Sequence, residues 1–296
     1  MALSTFLGSI ELGLIFAILS LGLFIVFRIL DLPDLTVDGS FVTGLAYTAV
    51  WSKAQNPLLG IFFGVLAGAL AGIVTGILHT KLKIHAILAG ILTMTGLYSI
   101  NLMIMGGKPS IYFYGEKTIF TPFENKLFLA GYDMGKLLFL AVLVTLIVVV
   151  MYLCLKTQLG LSLRATGDNE AMVRSSSINT DVMKILGFTI CNMLVALSGA
   201  VFTQYSAGGT TGYGVGMLVL GLASIIIGET VLPRRGMLSH LIAVVVGAVV
   251  YRFIITVAFQ LGLPADSLKL FSAMIVILAL SVPVAKTSLR RFKKRA

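Results

Sequence analysis

A chain of 296 residues that is 58% hydrophobic and only 11% charged lacks the composition of a soluble domain, in which roughly 45–50% apolar and about 25% charged residues are usual. The same deficit of charge excludes a disordered chain. The formal net charge of +10 is therefore read first as a membrane-topology signal, not as a nucleic-acid footprint.

A bilayer-crossing helix needs about 20 apolar residues. The first such run, Phe6–Phe27, has no basic start and no small-residue cleavage site, so it is expected to remain as a membrane helix. Further full spans are expected at Leu58–Leu78, Ile87–Met105, Leu137–Leu155, Ile185–Tyr205, Leu238–Phe259 and Leu270–Val284. Phe41–Trp51 and Met217–Val231 fall short of the roughly 17 residues a crossing takes. Short segments of this kind mark broken or re-entrant helices near a solute route. The expected fold is an all-α polytopic membrane bundle of about 8–9 hydrophobic segments, two of them short, with an inverted-repeat character. Continuous apolar runs exclude an outer-membrane barrel, whose strands alternate.

Between the first two segments lies DLPDLTVDGS. Pro33 stops a helix, and Asp38, Gly39 and Ser40 read as the cap of the short segment that follows. Asp31, Asp34, Asp38 and Ser40 fit two descriptions, an unwound stretch lining a pathway or a cytoplasmic turn with capping acids. Gly64, Gly68, Gly72 and Gly76 recur every four residues, on one helix face, as in close helix packing or a moving contact. The loop 106–136 mixes charges with Tyr112, Phe113 and Tyr114, as at a membrane interface or an external docking surface. Cys154 and Cys191 sit in apolar runs and make no metal or disulfide pattern. His79, His85 and His240 lack the spacing of metal ligands. Glu229 is a carboxylate at the end of a short segment, a gate or an interfacial anchor, to be partnered by Arg234 or Arg235 or solvated by interface water. Arg252 falls inside a span and is expected to snorkel in a structural role.

Lys156–Lys184 is a polar island of about 29 residues between two long apolar runs. Asp168 or Asn169 can cap a short helix over Glu170–Ser176, with Glu170 in its first turn, where the dipole favours negative charge. Too short and polar to span, such a helix must lie on the membrane surface or enter a groove in another protein. The C-terminus, with Lys286, Arg290, Arg291, Lys293, Lys294 and Arg295, is expected in the cytoplasm. Alternation then places the polar island there as well, and the N-terminus outside if every segment crosses.

The run GLSLRATGDNE within this island resembles the coupling loop of the ATP-binding-cassette importer permeases for branched-chain amino acids and ribose-type sugars. FRILDLPDLTVDGSF, Gly187–Gly199, Gln204 and GLASIIIGE resemble the branch of that family assigned to tryptophan/tyrosine-type substrates. The resemblance spans nearly the whole chain. It implies one transmembrane permease domain over 1–296, with 156–184 as the coupling loop within it. Leu163, Arg164, Gly167, Asp168, Asn169, Glu170, Met172 and Arg174 would then contact a cytoplasmic ATPase. Asp31, Asp34, Asp38, Ser40, Gln204 and Glu229 would lie along the pathway or its gate. It further implies an external solute-binding lipoprotein, a second permease copy, and a bacterial cytoplasmic membrane as the location. Two departures stand out: Ser177 occupies a position where the family usually has glycine, and SAGGTTG lacks an expected acidic residue.

No phosphate-cradling G-x-x-x-x-G-K-[ST] run occurs, so ATP and Mg²⁺ are expected on the partner and no cofactor on this chain. Neither a catalytic constellation nor a nucleic-acid partner is expected. A secondary transporter, the alternative, needs intramembrane ionisable groups, for which Arg252 and Glu229 are the candidates. A passive channel leaves the polar island unexplained.

Overall fold

The computed structural model describes residues 3–123, 128–129, 132–232 and 236–262, and the helical residues 270, 273, 274 and 277 beyond them. Helix α1 (Leu3–Leu23) runs into a π-helical turn, Phe24–Ile29. Then come α2 (Thr36–Lys53), α3 (Pro57–Thr80), α4 (Ala86–Ile104) and the short strands β1 (Ser110–Tyr112), β2 (Phe128–Leu129) and β3 (Tyr132–Asp133). After α5 (Gly135–Lys156), α6 (Gln158–Asp168) and α7 (Glu170–Ser175), the long α8 (Thr180–Ser206) leads to β4 (Gly208–Thr210). A 3₁₀ turn, Thr211–Gly214, precedes α9 (Met217–Val231) and α10 (Met237–Gln260). Among the described residues, seven helical stretches are long and apolar enough to cross a membrane. The molecule is a polytopic helical membrane protein. The C-terminal basic cluster and most of the expected span Leu270–Val284 lie outside the described residues.

The two short segments come out differently. Phe41–Trp51 is not a short helix: α2 has 18 residues and begins at Thr36, ahead of the expected cap. Its start is set by Asp34, whose Oδ1 accepts the Thr36 N–H at 2.9 Å. The first turn was hidden because Thr36, Asp38, Gly39 and Ser40 are polar or small. They face protein, so they need not be apolar; α2 buries Thr36, Ser40, Thr43, Thr48 and Ser52. Met217–Val231 does form a helix of 15 residues, and with the 3₁₀ turn before it the stretch Thr211–Val231 reaches 21 residues.

The helices sort by burial. The most apolar windows of α1 and α8 are 83% and 61% buried, against 28% for α4 and 22% for α5. Inner helices therefore meet protein on most sides, while outer ones keep a wide apolar face such as Leu138, Val142, Leu146 and Leu153. The glycine ladder of α3 supplies a close seam. A Cβ built on Gly76 would sit 2.9 Å from Ile185 Cα, and one on Gly64 would sit 3.1 Å from Gly44 Cα. A Cβ on Gly72 would collide with the Phe188 carbonyl, and one on Gly68 with the Ala196 side chain. The ladder is a packing surface of α3 against α8 and α2, where small residues let backbones touch.

At the end of the bundle opposite α6 and α7, β1 and β4 pair antiparallel, with Ser110 opposite Thr210 and Tyr112 opposite Gly208. This ribbon ties the 106–136 loop to the chain entering α9. An expectation of helices and loops alone missed it.

Valine at Gly72 would place a branched side chain against the backbone of α8, which no rotamer change relieves. Gly72→Val is expected to cost about 1–3 kcal/mol, the usual range for overpacking, read as a lower midpoint of thermal unfolding in detergent.

Candidate functional site

Two assemblies hold most of the candidate residues. One is the junction where α9 begins against α2. The chain from β4 descends beside α2, so that a Cβ on Gly214 would strike the Asp38 carbonyl. Gly216 then adopts a φ of +93° at the start of α9, a backbone state that glycine reaches without strain. Asp38 Oδ2 accepts the Gly216 N–H at 3.1 Å, and Oδ1 accepts the Leu218 N–H at 2.9 Å. Asp38 thus caps α9, which is distant along the chain, and not its own helix. A helix that starts among other helices has orphan N–H groups at its first turn, and a carboxylate is the acceptor that also matches the dipole.

One turn earlier a second polar group fills the space between α2 and α8. Asn192 donates to Asp34 Oδ2 at 2.7 Å and accepts from Ser40 Oγ at 2.6 Å. From Thr36 a hydroxyl chain continues through Thr75 (2.8 Å) to Thr93 (3.0 Å). Thr93 borders a groove of about 480 Å³ between α2, α3 and α4, with Thr43, Tyr47, Leu70, Val74 and Leu97 around it.

The six pathway candidates do not share one cavity. Asp34 and Ser40 meet through Asn192, while Asp38 lies at the α9 junction. Asp31 is exposed, with a φ of +53°. Gln204 is buried near the β1–β4 end, where it donates to Ser52 Oγ and accepts the Ile119 N–H at 3.2 Å. Glu229 lies at the other end of α9, and its Oε1 is 2.9 Å from Arg28 Nε. The candidate partners Arg234 and Arg235 lie outside the described residues. Arg28 was overlooked because it ends an apolar run and shares no sequence neighbourhood with Glu229.

Glu11, also missed, is buried in α1 and accepts from the Tyr205 hydroxyl at 3.0 Å. One acid in a long apolar run barely lowers its mean hydropathy, which is why the run hid it. Arg252 does not snorkel freely: its guanidinium lies 5.7 Å from the Phe16 ring centroid, and its Nε is buried.

The second assembly is the polar island. It is not a loop. α6 and α7 meet almost end to end at Asn169, whose side chain accepts the Met172 N–H and caps α7. Leu163 is buried in the core. A Cβ on Gly167 would collide with the Ile29 carbonyl, so α6 rests directly on the π-helical turn of α1. Arg164 and Asp168 are exposed. An ion-pair net fixes α7 to α8. Lys184 Nζ reaches Glu170 Oε2 at 2.8 Å, and Arg174 Nη2 reaches Glu170 Oε1 at 2.9 Å and Asp181 Oδ1 at 3.1 Å. Thr180 donates to Glu170 and accepts from Arg174 Nε. Lys81, just after α3, joins Asp181 at 3.6 Å. Such partly exposed pairs add little energy one by one; together they hold α7 in one orientation. The hydrogen bond from Lys184 is the main cause that holds the Glu170 carboxyl below its ordinary range. Met172, on the opposite face, is 59% exposed. Ser177 has a φ of +61°, the left-handed state that the expected glycine would occupy without strain.

An apolar bundle with an ion-paired polar bracket at one end fits a membrane transport subunit. A family model described as the permease component of branched-chain amino acid transport systems matches residues 5–280. The chain belongs to this family of ATP-binding-cassette permeases. It is 37% identical over 280 residues to a tyrosine transport system permease protein of Clostridioides difficile, covering 94% of this chain and 91% of that one. It is 26% identical over 254 residues to the ribose import permease protein of Escherichia coli K12, covering 84% and 76%. An autoinducer 2 import system permease protein of Yersinia enterocolitica is 31% identical over 189 residues, covering 63% and 49%. No solved structure matches.

Removing the Asp38 acceptor leaves the first amides of α9 without their partner. Asp38→Ala is expected to cost about 1–3 kcal/mol, and Asp38→Asn less, because one oxygen remains to accept one N–H. Thermal unfolding in detergent reads the order.

Acid should loosen α7. The Glu170 carboxyl is held below its reference value of 4.5, so its contribution is present above that pH and is lost as pH falls through the lower folded value. The protection of the α7 amides against hydrogen exchange, taken relative to the intrinsic rate at each pH, should fall in that window in the native chain, with a smaller change in Glu170→Gln.

Proposed function

We propose that the chain is the membrane subunit of an ATP-driven importer, whose ATPase is a separate protein that grips α7. The observation that carries this reading is Met172, an apolar side chain 59% exposed on a helix of 6 residues held rigid by ion pairs. An apolar knob on a polar mount suits a groove in a partner protein. ATP and Mg²⁺ then bind on that partner, and this chain carries no catalytic group.

Lys81, Lys83, Lys156, Arg164, Arg174 and Lys184 gather at the α6–α7 end, which supports a cytoplasmic position for it. Alternate crossings then put the β1–β4 ribbon outside and the C-terminus in the cytoplasm of a bacterial cell. An external binding lipoprotein delivers the solute to the ribbon side. Similarity to the tyrosine transport system permease protein of Clostridioides difficile favours an amino-acid-like, aromatic solute. Two copies of the chain enclose the route, and the α2–α9 junction lines it in each. ATP closes the ATPase pair, draws the α7 brackets together and switches access between two packed states.

The buried carboxylates Glu11 and Asp34 favour a second reading, ion-coupled transport, since intramembrane acids often carry protons or sodium. Both are engaged by hydrogen-bond donors, Tyr205 for Glu11 and Asn192 and Thr36 for Asp34, which fits structural roles as well.

Co-purification separates the two. The tagged native chain, solubilised gently, is expected to bring down a stoichiometric ATPase. Met172→Asp puts a charge at the apolar knob and should reduce recovery by about tenfold, a 1.4 kcal/mol effect. A chain that purifies alone and takes up solute on an ion gradient would sink the importer reading.

A further inference from the structure

We propose that Arg28 and Glu229 form a latch through which movement of the α6–α7 bracket reaches α9; the proposal rests on the importer reading above. Three separate contacts connect the two. First, α6 sits on the π-helical turn without a cushion of side chains, because Gly167 approaches the Ile29 carbonyl and the Leu30 backbone. The next residue locks in too: the Leu30 side chain lies against Gly187 of α8, with Leu163 of α6 beside it. A push on α6 therefore acts on the last turn of α1 directly.

Second, that turn is the irregular part of α1. Six residues, Phe24–Ile29, follow the wider π-helical pattern, and the Leu30 and Leu32 amides bond back to Ile25 and Val26. Such wide turns occur often at functional positions in helices. Arg28 projects from it.

Third, Arg28 Nε is 2.9 Å from Glu229 Oε1, and the Glu229 side chain is 8% exposed. A carboxylate this buried is costly unless a cation accompanies it, so α9 cannot leave Arg28 behind without stripping Glu229 of that cation. His240 Nδ1, at the start of α10, stands 3.9 Å from the same oxygen. The far end of α9 is held by Asp38. The helix is thus gripped at both ends, by Arg28 on the bracket side and by Asp38 at the junction. A displacement of α6 is carried by Ile29–Leu30 to Arg28, by Arg28 to Glu229, and along α9 to the turn that opens or closes the junction. Arg28 and Glu229 are positioning residues in this scheme and touch no solute.

The test uses the full complex of this chain with its ATPase, in liposomes and in a Cys154→Ser background. Val215, 61% exposed beside the start of α9, is replaced by cysteine as a reporter. Its rate of maleimide labelling is compared with and without ATP plus vanadate. The native pair is expected to give a change of about fivefold, a modest coupling between sites. Arg28→Gln and Glu229→Gln should abolish the change, and the exchanged pair Arg28→Glu with Glu229→Arg should restore it.

A full change in Glu229→Gln would overturn the latch, as would a native complex that binds its ATPase and shows no change at all. Should both single variants and the exchanged pair lose the ATPase alike, the pair is a static anchor and the proposal fails. A native chain that carries no ATPase defeats the importer reading itself, which is a different result from a native complex whose reporter stays silent.

Discussion

A helix that starts inside a membrane protein must find acceptors for its first amides without water. For α9 that acceptor is one carboxylate, Asp38 of α2. The constraint organises the surrounding chain. Glycine at 216 allows the turn, glycine at 214 allows the descent past Asp38, and the β1–β4 ribbon holds the entering strand at the opposite end. Asp38 is half of an arrangement that could not be built from neighbours in sequence, because α9 and α2 are far apart along the chain. Its acid is tolerated within an apolar bundle because the α9 N-terminus offers partial positive charge.

The two ends of the bundle solve different problems. At the α6–α7 end, charge is plentiful and serves orientation: Glu170, Arg174, Asp181 and Lys184 fix a short helix that alone would not persist in water. Ser177 turns the chain after α7 in a left-handed state at +61°, so this turn is held by its context and not by the residue best suited to it. At the ribbon end, Gln204 and Ser52 tie α8 to α2, and Tyr112 and Tyr114 stack on each other at the surface. Between the ends, Asp34, Asn192, Ser40 and the hydroxyls of Thr36, Thr75 and Thr93 form a polar group whose members are all hydrogen-bonded. Buried groups of this kind are acceptable only when satisfied.

Close packing explains why so few charges suffice. In lipid, helices gain little from hydrophobic exclusion and associate through surface fit. The glycine ladder of α3 provides that fit against α8, and Gly44 and Gly64 extend it to α2.

Much of this was legible in the residue order. Apolar runs located the long helices to within a few positions, α2 excepted, because a run long enough to cross lipid has few other uses. The cap at Asn169 and the short helix after it follow from local chemistry, since a capping side chain reaches only the next turn. Glycine every fourth residue announced a packing face. What the order could not reveal was any partnership between distant segments. Asp38 read as the cap of its own helix, Arg28 passed unnoticed at the end of an apolar run and Glu11 within one, and α2 looked short because its polar side faces protein. Local rules act over one helical turn, whereas those pairings are decided by which helices lie side by side, and only the tertiary packing determines that.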